Sequence, residues 1–93
     1  MTADSEIHIK VEGWVQGVFF RDEAVKFARQ YKVTGWIKNL PDGSVEILAQ
    51  GEKENLEKFL VWARQGPPAA EVDTFDIQWR EPTDSFTSFE IKY

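Results

Sequence analysis

The chain has 93 residues, 42% apolar and 14% aromatic, enough for one hydrophobic core and therefore a single domain over 1–93. Its net charge of −5 argues against a general nucleic-acid binder, which needs a basic face to neutralise phosphates. Without cysteine there can be no disulfide, thiolate nucleophile or cysteine-ligated zinc.

In chain order, the first ten residues carry acids early and hold no long apolar run, so neither a signal peptide nor a membrane span is expected and a cytoplasmic location is. Ile7, Ile9 and Val11 alternate with His8, Lys10 and Glu12, the period of a half-buried strand. Asp22 to Val33 reads as a helix, because Phe20, Ala24, Phe27, Ala28 and Tyr31 fall on one apolar stripe. Thr34 to Leu40 forms a second strand, Pro41-Asp42-Gly43 a turn, and Ser44 to Gln50 a third strand, so the last two pair as a hairpin.

Glu52 to Gln65 is a second amphipathic helix with Leu56, Phe59, Leu60 and Ala63 inward, stopped by Gly66-Pro67-Pro68. Glu71 to Arg80 is a fourth strand. Glu81 to Asp84 is a short loop, and Phe89, Ile91 and Tyr93 mark a short last strand. The order β-α-β-β-α-β predicts an α+β, ferredoxin-like sandwich: an antiparallel sheet with both helices on one face, plus the short C-terminal strand. That arrangement hosts many functions, so the chemistry has to come from a site.

The segment Gly13 to Arg21 leads from the first strand into the first helix. Backbone N–H groups at a helix N-terminus lack partners, and with the helix dipole they suit an anion. Gly13 and Gly17 would let the loop curl so that successive N–H groups converge. Arg21 stands at the helix start, where a cation opposes the dipole; a bound anion would offset that, and a guanidinium grips two phosphoryl oxygens. The alternative is an ordinary loop whose arginine pairs with a surface acid, and these residues alone leave both open.

A helix of about 12 residues advances ~18 Å, and a strand of about 6 residues returns ~20 Å. Asn39 should therefore come level with Arg21. Period 2 puts Gly35, Ile37 and Asn39 on one face of the strand. An asparagine there could cap the hairpin turn, or its amide could orient a water beside the anion.

These residues resemble the acylphosphatase family. Its first signature, Gly-x-Val-Gln-Gly-Val-x-Phe-Arg, is matched by Gly13, Val15, Gln16, Gly17, Val18, Phe20 and Arg21. The second runs through Gly35, Trp36, Lys38, Asn39, Gly43, Val45 and Gly51, and departs at Ile37, where a smaller residue is usual. The resemblance implies hydrolysis of acyl phosphates to carboxylate and inorganic phosphate, without metal or cofactor. It implies that Arg21 and the backbone amides of Val15, Gln16, Gly17, Val18, Phe19 and Phe20 hold the phosphoryl group, and that Asn39 places the attacking water. The expected partners are a small acyl phosphate and inorganic phosphate, with no nucleic acid and no membrane, and the expected form is a monomer.

Other candidates are weaker. His8, the one histidine, faces away from Ile7 and Ile9 and reads as structural. Glu52, Glu54 and Glu57 read as solvated acids at a helix start. The tryptophans read as packing residues, with Trp14 and Phe19 able to line the acyl side of a pocket. Two rival functions keep the same fold: a non-catalytic anion-binding domain, which needs no Asn39, and an RNA-binding module, against which the net charge counts.

Overall fold

The computed structural model describes residues 4–82 and 84–93; Met1 to Ala3, from the acid-bearing start, and Thr83, from the connection after the fourth strand, lie outside the described residues. The elements are β1 (Ser5–Trp14), α1 (Phe20–Gln30), β2 (Thr34–Asn39), β3 (Val45–Gly51), α2 (Lys53–Gln65), β4 (Glu71–Arg80) and β5 (Phe89–Lys92). They form a five-stranded sheet in the order β4-β1-β3-β2-β5.

The four longer strands pair antiparallel, whereas β5 adds to β2 in parallel, with Gly35 opposite Phe89 and Ile37 opposite Ile91. The sheet is therefore mixed: its four longer strands are antiparallel, as expected, and the short C-terminal strand joins them in parallel. The cause is the long reach of the last connection. The chain leaves β4 at one edge and crosses to the far edge, where Phe89 is buried and its ring lies 5.8 Å from that of Phe59.

The alternation read from sequence decides which face is packed. Ile7, Ile9, Val11, Ile37, Val45, Ile47 and Ala49 are fully buried beneath the two helices, together with Ala24, Ala28, Leu56, Phe59 and Ala63. Each large apolar side chain so buried contributes roughly 1.5–3 kcal/mol. Trp62, absent from the expected stripe of α2, is also buried. Its ring sits 5.3 Å from Phe20, 5.4 Å from Phe27 and 5.5 Å from Phe59, joining the two helices.

Two elements, α1 and β1, depart instructively from the sequence reading. The helix α1 starts two residues early, at Phe20, and stops at Gln30 instead of Val33. Lys32 takes φ 59°, which reverses the chain and returns the Val33 N–H to the Ala28 carbonyl at 2.8 Å. The strand β1 runs on to Trp14, so Gly13 belongs to it and not to the loop. At Gly13 the backbone crosses β4 so closely that a Cβ would meet the Glu71 carbonyl oxygen at 2.2 Å, beside a register shift between Glu12 and Gly13. Close approach of two strands, not loop curling, explains that glycine.

At the β1 start, the other end of the sheet from the loop, Glu6 is fully buried although it shares the helix-free face with His8. Its carboxylate accepts from Arg80 Nε at 2.5 Å and from Gln50 Nε2 at 2.8 Å. The same Gln50 amide donates to the Asp84 carbonyl at 2.6 Å, so the β4–β5 connection is fastened across this end of the sheet.

Candidate active site

At the C-terminal end of β1 the chain turns into α1 through residues 15–19. Val15 and Val18 are buried and peg the loop to the core, while Gly17 takes φ 74° in open space. Phe19 is the N-cap of α1 and itself holds φ 69°. A left-handed conformation in a bulky residue costs on the order of 1–3 kcal/mol, and Phe19 is 71% exposed, so burial of its ring does not offset the strain. Positive φ at 17 and 19, alternating with ordinary backbone, is the geometry that turns successive N–H groups toward one concavity.

The first intrahelical bond of α1 is from Glu23 N–H to the Phe19 carbonyl at 3.0 Å, which leaves the N–H groups of the first turn free to face that concavity. No described side chain caps this terminus. The concavity is a cavity of about 200 Å³ lined by Val15, Gly17, Phe19, Phe20, Arg21, Asp22 and Asn39. Arg21 and Asn39, eighteen residues apart in the chain, thus line one space, as the element lengths required.

Neither residue has the structural occupation open to it from sequence alone. No described carboxylate lies within ion-pair distance of Arg21; its guanidinium carbon stands 5.4 Å from the centre of the Tyr93 ring, which is almost wholly exposed. Asn39 does not cap the hairpin turn. That turn closes without it, through Leu40 N–H to the Ser44 carbonyl at 2.8 Å and Gly43 N–H to the Leu40 carbonyl at 3.1 Å. Asp42 completes the turn by accepting from the Ser44 N–H at 2.9 Å and from its hydroxyl at 2.5 Å. These two bonds and the ammonium of Lys10, 3.1 Å away, hold the Asp42 carboxyl at a pKa of about 2.

The Asn39 Oδ1 is buried and has no hydrogen-bond partner among the described residues. An unsatisfied buried acceptor costs about 1–3 kcal/mol.

Of the six loop residues singled out in the sequence, Val15, Gly17, Phe19 and Phe20 line the cavity. Val18 turns its side chain into the core, and Gln16 sends its amide to the hairpin, leaving their backbone N–H groups as what they can offer a ligand. Trp14 is 71% exposed and lies outside the cavity lining, so of the two aromatic residues considered for its acyl side only Phe19 is there. Sequence reasoning missed Asp22 in the lining and Tyr93 beside Arg21. Asp22 had a signal in its place next to Arg21 in the first turn; Tyr93 had none.

Elsewhere, His8 Nε2 lies 2.7 Å from Glu46 Oε2 on the helix-free face, far along β1 from the cavity. Among the described residues no group of three or more His, Cys, Asp or Glu side chains is placed to hold a metal ion, and no helix is long and apolar enough to cross a membrane.

Comparison with known proteins gives one family. The pattern of the Acylphosphatase family matches residues 7–91. An acylphosphatase of Pelotomaculum thermopropionicum is 45% identical over 86 residues, covering 92% of this chain and 94% of its own. Among solved structures, an acylphosphatase from Bacillus subtilis superposes with a TM-score of 0.92 at 35% identity, covering 96% of this chain and 99% of that one. One from Coxiella burnetii superposes at 0.85 and 37% identity, covering 97% and 94%. The chain belongs to the acylphosphatase family.

Proposed function

We propose that this 93-residue single domain hydrolyses small acyl phosphates, with Arg21 and the loop N–H groups holding the phosphoryl oxygens and Asn39 placing the attacking water. The observation that carries the reading is that Arg21 and Asn39 line one cavity, and that the Asn39 Oδ1 has no hydrogen-bond partner among the described residues. Oδ1 accepts a hydrogen bond from the water and so aims its lone pair at phosphorus. The N–H groups of Val15 to Phe20, with the guanidinium, bear the charge that spreads over the equatorial oxygens. The overall field of a chain carrying −5 repels anions, which makes this local concentration of donors the source of phosphate affinity.

The step balances with these groups alone. The water oxygen forms its bond to phosphorus while the bond from phosphorus to the acyl oxygen breaks, and that electron pair leaves on a carboxylate. Carboxylic acids have pKa values of about 4, so the leaving group needs no proton, and the protons of the water end on the phosphate or in solvent. A loose transition state asks chiefly for positioning and charge stabilisation, to which each preorganised donor adds roughly 3–4 kcal/mol. No histidine base and no cofactor is called on. A cytoplasmic monomer fits the same reading, supported by the cysteine-free composition and by a net charge that opposes self-association.

The test is hydrolysis of acetyl phosphate with chelator present, by wild type and by Arg21→Ala. Wild type should turn over, and Arg21→Ala should lose turnover and inorganic-phosphate affinity together, by a factor of roughly 100 or more. A wild type that binds phosphate without hydrolysing acetyl phosphate sinks the reading in favour of a plain anion-binding domain.

A further inference from the structure

The two halves of the site sit on segments that the sheet ladder does not hold against each other. The phosphate loop follows β1 and Asn39 ends β2, with β3 lying between those strands. Both ladders with β3 stop at the same residue: Val11 pairs with Val45 on one side, and Asn39 pairs with Val45 on the other. Beyond Val45 the loop and the hairpin turn run on unpaired by the ladder.

One side chain bridges them. Gln16 Nε2 donates to the Leu40 carbonyl at 2.8 Å and to the Ser44 carbonyl at 2.9 Å. These are the two carbonyls that close the hairpin turn, each already accepting one backbone N–H, so the amide fills the second lone pair of both. Among the described residues no other hydrogen bond joins loop to turn. Leu40 is the residue after Asn39, so the bridge fixes the backbone that carries the water-placing amide. A residue of the loop therefore anchors, through its side chain, the strand end opposite.

We propose that Gln16 is a positioning residue, whose side-chain amide sets the separation between the phosphate loop and Asn39. This rests on the acyl phosphate reading above and adds to it a residue that acts through another. Only a side chain with two hydrogens on one atom meets both carbonyls, which gives the role a chemical signature. Gln16→Glu keeps the shape but turns a carboxylate toward two carbonyl oxygens; once protonated, the same group regains one donor. The carbonyl dipoles disfavour its charged form, so it should titrate at or above the ordinary glutamate value of about 4.3.

The experiment measures kcat on acetyl phosphate and inhibition by inorganic phosphate for wild type, Gln16→Ala and Gln16→Glu between pH 4 and 7, each checked for native circular dichroism. Misplacement of a reacting group by about 1 Å costs up to ~100-fold, so Gln16→Ala should lose roughly 10–100-fold in kcat. Its phosphate inhibition constant should change less than about threefold, because Arg21 and the loop N–H groups remain. Relative to wild type, Gln16→Glu should recover turnover as pH falls toward 4 while Gln16→Ala shows no such recovery. Wild-type kcat in Gln16→Ala, or equal losses in kcat and phosphate affinity, overturns the positioning role. Should Gln16→Ala fail to fold, a Gln16→Glu ratio that is flat with pH overturns it instead. An inactive wild type, by contrast, removes the acyl phosphate reading itself.

Discussion

The two ends of the sheet are built on opposite terms. At the end where β1 begins, Glu6 is a fully buried carboxylate with Arg80 and Gln50 on it, and Gln50 ties in the Asp84 carbonyl. At the end where β1 stops, Phe19 holds a strained backbone with an exposed ring, and among the described residues the buried Asn39 Oδ1 has no partner and Arg21 no carboxylate. One end answers each buried polar group from within the chain. The other leaves its polar groups without partners among the described residues. Under the proposed function, stability and reactivity occupy different ends of one sheet, and substitutions should separate them.

The largest separation is expected between Arg80→Ala and Arg21→Ala. Arg80→Ala leaves the Glu6 charge buried with weakened compensation, and breaking a buried pair costs about 3–5 kcal/mol. Because Arg80 itself is 43% exposed, water can partly replace it, and a loss near 3 kcal/mol in urea unfolding is expected, with kcat of the folded protein unchanged. Arg21→Ala should do the reverse, with a denaturation midpoint close to wild type. A smaller effect tests the strain in the loop. Phe19→Gly relieves a left-handed backbone and surrenders little burial, so it should raise stability by about 0.5 kcal/mol after the entropic cost of glycine. A net loss in thermal unfolding would mean that the ring packs more than its exposure implies.

The smallest effect concerns the hairpin turn. Asp42 has its carboxyl lowered from 3.8 to about 2 in the folded chain, so its contribution is present above pH 3.8 and disappears as pH falls through 2. Asp42→Asn should thus be less stable than wild type at pH 6, and the difference should close between pH 4 and 2 in acid titrations of unfolding. A constant difference across that range would assign the effect to the turn's hydrogen bonds and not to the charge.

Much of this layout is legible in the residues. Period-2 alternation marks the buried face of β1, β2 and β3, and element lengths alone bring Asn39 to the cavity of Arg21. What escapes is long-range. Alternation puts Glu6 on the helix-free face beside His8, and nothing local says that Arg80 and the last connection will bury it. The parallel seat of β5 depends on a crossing from edge to edge, which a four-residue strand cannot encode by pattern. Gly13 looks like a loop glycine until β4 is seen to lie against it. Gln16 belongs to the family signature, yet its side-chain partners stand 24 and 28 residues away, a contact that no spacing rule reaches.

The sharpest single comparison is Asn39→Ala, measured both for turnover on acetyl phosphate and for stability in urea. The substitution removes a buried acceptor that the fold leaves unsatisfied, so the denaturation midpoint should hold or rise. Turnover should drop by roughly 100-fold or more, with phosphate inhibition nearly unchanged. Near-wild-type turnover, or a stability loss above about 1 kcal/mol, would show that Asn39 serves the fold and not the water.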